Sequence, residues 1–456
     1  MTTPSPVNLS TRSSAPLRQL TLFDSTCIIV GIIIGATIYE SSPLIAGCVP
    51  GLWELLGVWL LGGAVTLIGS LCYAELATAY PNEGGDYVYL TRAFGRRLGF
   101  VFAWVQLWVV RPGSIGALAY VFADYAHRLW PAWWGQPVTP VAYAVIAVAV
   151  LTAINVLGVQ EGKWTQNLLT TIKVLALLGI FVVGILAPSP AAETTVHPAN
   201  VTFDFRFAMI LILYAYGGWN EMAYVGAEVQ RPEKNIVRAL LLGTLTVTVI
   251  YLLVNLAFVR ALGFSGLVHS KAVAADVLKL AAGAWGERLM CTLVCISALG
   301  AVNGTIFTGG RIYYAMGTDH KLFAWLGQWS PRFGTPAWSL VIQAIITIAL
   351  VIAFGWNAEG DGFEAMVIFT APLFWGFLVL VGMSLFALRD REPATPRPFR
   401  VPLYPLIPIL FCHATLLMFY ASVSFAYEMR SYEALWPIAL LAVGIAMSFI
   451  GRGDQD

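Results

Sequence analysis

The sequence predicts an all-α integral membrane protein of twelve transmembrane helices, and three observations predict it. Of 456 residues, 58% are hydrophobic and only 11% charged, with a mean hydropathy of +0.75. A soluble domain carries about a quarter of its residues as Asp, Glu, Lys and Arg, so a chain this poor in charge turns its outside to lipid. Twelve apolar runs approach or exceed the roughly 20 residues that a helix needs to cross the hydrocarbon core. Lys and Arg are also unevenly divided between the connecting segments. The net charge of +1 leaves no electrostatic footprint for nucleic acid.

The first six runs lie at about 22–47, 52–80, 99–126, 138–157, 165–187 and 205–228. Six more follow at about 237–262, 288–318, 336–354, 363–388, 403–427 and 433–450. Hydrocarbon offers no partner for a backbone amide, so each must be helical. Runs beyond about 25 residues imply tilt or a break. Residues 1–20 are polar, rich in Ser, Thr and Pro, with Arg12 and Arg18 and no apolar core of a signal peptide; they read as a disordered cytoplasmic tail. With that tail inside, cytoplasmic segments carry sixteen Lys and Arg against seven outside, as the positive-inside rule requires. Twelve spans then return the C-terminus, with a short tail at 452–456, to the cytoplasm. The connection at 263–287 contains "SKAVAADVLKLAAGAWG", whose helical spacing of apolar residues predicts an external interfacial helix or lid.

Other chemistries find little support. The six cysteines (Cys27, Cys48, Cys72, Cys291, Cys295, Cys412) lie in or beside apolar runs without a CxxC pair and read as small buried hydrophobes. The five histidines are scattered, mostly in loops, with no HExxH motif and no paired aspartates inside spans. No catalytic site, metal or cofactor is expected. Neither a filter loop nor a ring of charges marks a channel.

Glycine placement is the most informative local feature. The first span reads "CIIVGIIIGATIYESSPLIAG", with Gly31 and Gly35 in its middle. Such a pair is either a close-packing face between helices or the mark of an unwound segment lining a cavity. The sixth span reads "MILILYAYGGWNEMAYVGAEVQRPEKN", with Gly217-Gly218 near its centre among Tyr214, Tyr216 and Trp219. The two spans correspond if the first ten form two five-helix repeats, and paired breaks point to a midplane binding site. Free N–H groups at a half-helix N-terminus suit a carboxylate, and unpaired carbonyls suit an ammonium.

The stretches "GIIIGATIY", "YAELATAYPNEGGDYVYLTRAFG", "WVVRPGSIGALAYVFADY", "YAYGGWN", "EVQRPEKNIVRAL" and "SALGAVNGTIFTGGRIYYA", in this order, resemble the L-type amino acid transporter family of the amino acid–polyamine–organocation superfamily. The resemblance covers nearly the whole chain. It implies a LeuT-type fold: a first inverted repeat at 21–187, a second at 205–388, and two peripheral helices within 389–451. It implies a sodium-independent transporter of neutral L-amino acids in the cell (plasma or inner) membrane, an exchanger working by alternating access. The alternative is a proton-coupled symporter, or a carrier of cationic amino acids or polyamines.

By position, the resemblance has Gly35, Ala36 and Thr37 hold the substrate carboxylate, while Ile33, Tyr214 and Gly217 offer carbonyls to the amino group. Tyr214 doubles as an aromatic gate, and Tyr39, Glu40, Trp219 and Asn220 join it as gating or specificity candidates. Thr37 replaces a usual small residue, and Glu40 stands where an apolar one is usual. Glu40 either faces the external vestibule and favours cations, or pairs with an Arg or sits near the interface. Lys173, amid apolar neighbours in the fifth span, either snorkels to the inner face or, as the resemblance implies, fills the sodium position and bridges the first and eighth spans. Arg111 and Arg311 read as structural, paired with carbonyls or with acids such as Glu75 and Glu228; Glu228 itself reads as a gate or cap. Relatives with a heavy subunit carry a cysteine between the third and fourth spans. This chain has "HRLWPAWWGQPVT" there, so a stand-alone protein is expected.

Overall fold

Thr21 opens the first helix with a reciprocal cap: its Oγ1 accepts from Asp24 N at 3.2 Å, and the Asp24 carboxylate accepts from Thr21 N at 2.8 Å. The computed structural model describes residues 17–35, 37–133, 136–187, 205–270, 273–356, 362–428 and 435–450. The expected tails therefore lie almost wholly outside the described residues, as do Ala36 and the Glu40 side chain.

Helices dominate. The first run is two helices, α1 (Leu22–Ile33) and α2 (Thr37–Gly47), whose axes meet at 46°. Next come α3 (Leu52–Ala79) and a short connecting helix, α4 (Asp86–Phe94). The third run is α5 (Arg96–Val105), a π-helical turn (Gln106–Val110) and α6 (Arg111–Leu129) in one rod. Pro112 brings no N–H for the carbonyl four residues back. The adjoining π turn, closed by Arg111 N on Gln106 O, takes up that defect. Then come α7 (Pro140–Leu157) and α8 (Val159–Leu186), followed by α9 (Phe205–Ala215) and a 3₁₀ segment (Trp219–Glu228). The remainder is α10 (Pro232–His269), α11 (Val273–Ala282), α12 (Gly286–Asp319), α13 (Ala337–Trp356), α14 (Gly362–Arg391), α15 (Leu406–Glu428) and α16 (Leu435–Ile450).

Each of the twelve predicted runs is built of helix where it is described, the first and sixth with a break inside them. Among the described residues, nine helices are singly long and apolar enough to cross a bilayer, and the bent α1–α2 pair makes ten. The other two runs fall short for local reasons: α16 has only 16 residues, and the sixth run is split at its glycines. This is a multi-pass, all-helical membrane protein.

The predicted interfacial helix is α11, which buries Val273, Ala274, Val277 and Leu278 and leaves Lys279 exposed. At the opposite end, segments assigned to one face meet. Leu20 pairs with Val229 as a short parallel bridge, Tyr80 Oη donates to Glu392 at 3.0 Å, and Tyr87 Oη donates to Asp319 at 2.8 Å. Loops far apart in sequence thus converge as an even number of crossings between them requires.

Candidate substrate cavity

At Ile34 the helical pattern fails. Ile34 N still reaches Val30 O at 2.9 Å, but Ile34 lies at φ −71°, ψ 89°, and Gly35 N turns back to Ile33 O at 2.8 Å. Gly31 and Gly35 divide the two roles that glycine pairs can play. A Cβ on Gly31 would strike Thr170 and Gln166 of α8, so Gly31 is a close-packing position; a Cβ on Gly35 would meet nothing closer than 3.7 Å, and Gly35 lines a cavity.

The sixth run fails in the same way. Tyr216 N closes on Ile212 O and Gly217 N on Tyr214 O, and Gly218 then takes φ +109°, a left-handed conformation that L side chains rarely adopt. A Cβ there would lie 2.5 Å from Ile32 Cγ2, so the two breaks touch. Between them lies a cavity of about 170 Å³. Its wall includes Ile33, Gly35 and Thr37 from the first break and Tyr214, Gly217, Gly218, Asn220 and Glu221 from the second. Residues of α6, α12 and α14 close the sides. The volume is below the roughly 300–1,000 Å³ of sites for drug-sized ligands and suits a smaller molecule.

The carbonyls released by the first break are not left to hydrocarbon. Lys173 of α8, only 1% exposed, sends Nζ to Gly31 O at 2.6 Å, Ile34 O at 2.8 Å and Ser297 O of α12 at 2.8 Å. All three ammonium hydrogens are engaged, so the side chain does not snorkel. Gly300 leaves room for it: a Cβ there would stand 2.9 Å from Nζ. Ser297 Oγ adds a bond to Ile34 O at 3.1 Å, and Tyr251 Oη lies 3.0 Å from Ile33 O and 3.1 Å from Ala215 O, between the two breaks.

A family model described as amino acid permease matches residues 20–447. The chain belongs to the amino acid permease family. It is 31% identical over 408 residues to the serine/threonine exchanger SteT of Bacillus subtilis (strain 168), covering 88% of this chain and 90% of that protein. The mouse b(0,+)-type amino acid transporter 1 is 29% identical over 449 residues, 95% of this chain and 88% of its own. The human large neutral amino acids transporter small subunit 2 is 29% identical over 467 residues, covering 95% and 80%. The permease is accordingly a transport protein of a family that moves amino acids, not an enzyme.

Within this permease the expected site residues divide. Ile33, Gly35, Thr37, Tyr214, Gly217 and Asn220 share the cavity. Tyr39 is buried away from its lining, and Trp219 is instead packed edge-on against Tyr73 at 4.9 Å and near Phe411 at 5.9 Å. The Ile33 carbonyl already accepts from Gly35 N and Tyr251 Oη, so a ligand ammonium would have to displace that hydroxyl.

The charged residues partly correct the sequence. Arg311 pairs with Glu228 as expected, Nε to Oε1 at 2.7 Å, both side chains at most 1% exposed. Glu75 pairs not with Arg111 but with Arg389 at 2.6 Å and Arg397 at 3.5 Å. Arg111 instead meets Glu221 at 2.5 Å in the cavity wall. Sequence reasoning missed Glu221, Tyr251 and Ser297. Glu221 sits in the quoted "GGWNEMAY", and a carboxylate three residues past a helix break was the available signal. The other two hold the breaks from distant helices, which no local pattern reveals.

Proposed function

We propose that this permease is a sodium-independent carrier of neutral L-amino acids that exchanges substrates by alternating access. The cavity bounded by both helix breaks is the observation that carries this reading. In it, the amide end of α2 at Thr37, joined by the Gly35 N–H when it leaves Ile33 O, holds the carboxylate. The carbonyls of Tyr214 and Gly217, and that of Ile33 when Tyr251 yields it, take the ammonium. Tyr214, edge-on to Phe363 with ring centroids 6.5 Å apart, covers the ligand.

The 5+5 repeat follows the same logic. Residues 21–187 and 205–388 each begin with a broken span, and 389–451 supply two peripheral helices, twelve crossings in all. Both termini face the cytoplasm of a cell-surface or inner membrane. The Lys173 ammonium occupies the space between α1, α8 and α12 where a sodium ion would need carbonyl ligands, and its three hydrogen bonds support sodium independence. The serine/threonine exchanger among the relatives supports exchange. The connection between the third and fourth spans carries no cysteine, which supports a protein working without a disulfide-linked heavy subunit.

The test is uptake of labelled neutral L-amino acids into proteoliposomes. Internal unlabelled amino acid should accelerate entry several-fold, and an inward sodium gradient should leave it unchanged. Uptake driven by sodium would refute the coupling assignment, and uptake indifferent to internal substrate would refute exchange.

A further inference from the structure

One buried hydroxyl joins the two breaks. Tyr251 of α10 is fully buried and lies outside the cavity wall. Its Oη stands 3.0 Å from Ile33 O, at the end of α1, and 3.1 Å from Ala215 O, at the end of α9. A phenol carries a single hydrogen to donate, so the two carbonyls share one donor. The ring is fixed, because Trp59 and Tyr216 both pack edge-on against it with ring centroids 5.2 Å away in each case. Turning the hydroxyl from one carbonyl to the other therefore moves a hydrogen and leaves the ring in place.

In the empty cavity both lone pairs of Ile33 O are taken, by Gly35 N at 2.8 Å and by Tyr251 Oη. A zwitterion seated between the breaks disturbs both. Its carboxylate offers the Gly35 N–H a charged acceptor, and its ammonium offers Ile33 O a charged donor. Charge-assisted hydrogen bonds are stronger than neutral ones, so the phenol is the weaker competitor for that carbonyl. It also leaves without becoming an unpaired buried donor, since Ala215 O is already within reach. We propose that Tyr251 is an occupancy latch: without substrate its hydroxyl ties the end of α1 to α10, and the ammonium of a bound amino acid releases α1 by turning that hydroxyl to Ala215 O, so that only the loaded carrier reorients. This role rests on the exchange reading and deepens it, because exchange requires that the empty carrier be held.

The test uses proteoliposomes holding the full-length protein and labelled L-leucine or L-threonine outside, whichever wild type takes up faster. Wild type should take up label slowly without internal amino acid and several-fold faster with it. In Tyr251→Phe, uptake without internal amino acid should rise about fivefold, the weight of one hydrogen bond of ordinary strength. Uptake with internal amino acid should change less, so the ratio of the two rates falls. A merely structural role would lower both rates and keep the ratio. An unchanged ratio in Tyr251→Phe overturns the latch. The wild-type protein supplies a second measurement, with the matching 2-hydroxy acid inside, in which a hydroxyl replaces the ammonium. That analogue brings no charged donor to Ile33 O and should not accelerate entry. Acceleration equal to that by the amino acid overturns the latch without any variant having to fold. Wild-type uptake indifferent to internal amino acid overturns exchange itself, and uptake of neither amino acid overturns the transport reading, outcomes distinct from an exchanger whose ratio survives Tyr251→Phe.

Discussion

Lys173 and Gly218 show how single residues make a broken helix tolerable in hydrocarbon. Three carbonyls accept from Lys173 Nζ, Ile34 O having Ser297 Oγ as a second donor, and a buried acceptor left without its donor is destabilised by about 1–3 kcal/mol. Lys173→Met, similar in length but without donors, should therefore lose about 3 kcal/mol or more, read as a lower unfolding temperature of the detergent-solubilised protein. An unfolding temperature equal to wild type would show that the ammonium is no strut. Gly218 faces two obstacles to a side chain, φ +109° and Ile32 Cγ2 at 2.5 Å from a Cβ. Backbone strain of that kind is worth about 1–3 kcal/mol. Gly218→Ala should lower stability by about 2 kcal/mol, and adding Ile32→Ala should restore only the steric share. Full restoration by Ile32→Ala would mean that the left-handed conformation carries no cost.

The element that concentrates these constraints is the 3₁₀ segment Trp219–Glu228. Four side chains from three other elements grip it: Arg111 and Thr308 at Glu221, Asp86 at Tyr224 and Arg311 at Glu228. Asp86, the first residue of α4, caps the arrangement by accepting from Tyr224 Oη at 2.5 Å. Burial pushes its carboxyl up from 3.8 to about 7, against the opposing pull of the Tyr224 hydrogen bond and the Arg111 charge; Tyr73 and Glu221 are the other titratable groups facing it. Burial likewise raises Glu83, in the connection between α3 and α4, to about 7. A carboxyl whose pKa is raised by folding binds its proton in the folded state while the unfolded chain has released it. Stability should therefore fall as pH rises from about 4 to 7 and level off above, and Asp86→Asn should flatten part of that slope. A melting profile of Asp86→Asn with the full wild-type slope would exclude Asp86 as its source. This segment also marks the limit of what the sequence reveals. Gly217-Gly218 announce the break because glycine is unfavourable within a helix, but nothing local announces that the chain continues as 3₁₀. That outcome depends on Arg111, Asp86 and Arg311, each dozens of residues distant. The same reason hid Tyr251 and Ser297; the bridging place of Lys173 was legible only through the family resemblance, since a cation two turns from the end of an apolar run can equally snorkel.

On the scale of the whole molecule, the two breaks touch through Gly218 and Ile32, so one cavity serves both. The apolar helices, their order and the short helix α11 were legible from hydropathy and spacing, because lipid imposes helices on any apolar run. Sidedness has only the Lys and Arg count behind it, so it is the property most in need of a direct probe. Arg332, exposed in the connection between α12 and α13, and Lys279, exposed on α11, fall on opposite faces under that count. The native cysteines are buried or half-buried, so a cysteine at either position reports on its own site. In intact cells a membrane-impermeant maleimide should label Lys279→Cys and spare Arg332→Cys, and permeabilisation should expose the second. The reverse pattern would invert the orientation while leaving the cavity unchanged. Labelling of both in intact cells would put them on one face, which the single crossing of α12 between them forbids, and would break the twelve-span path of the chain.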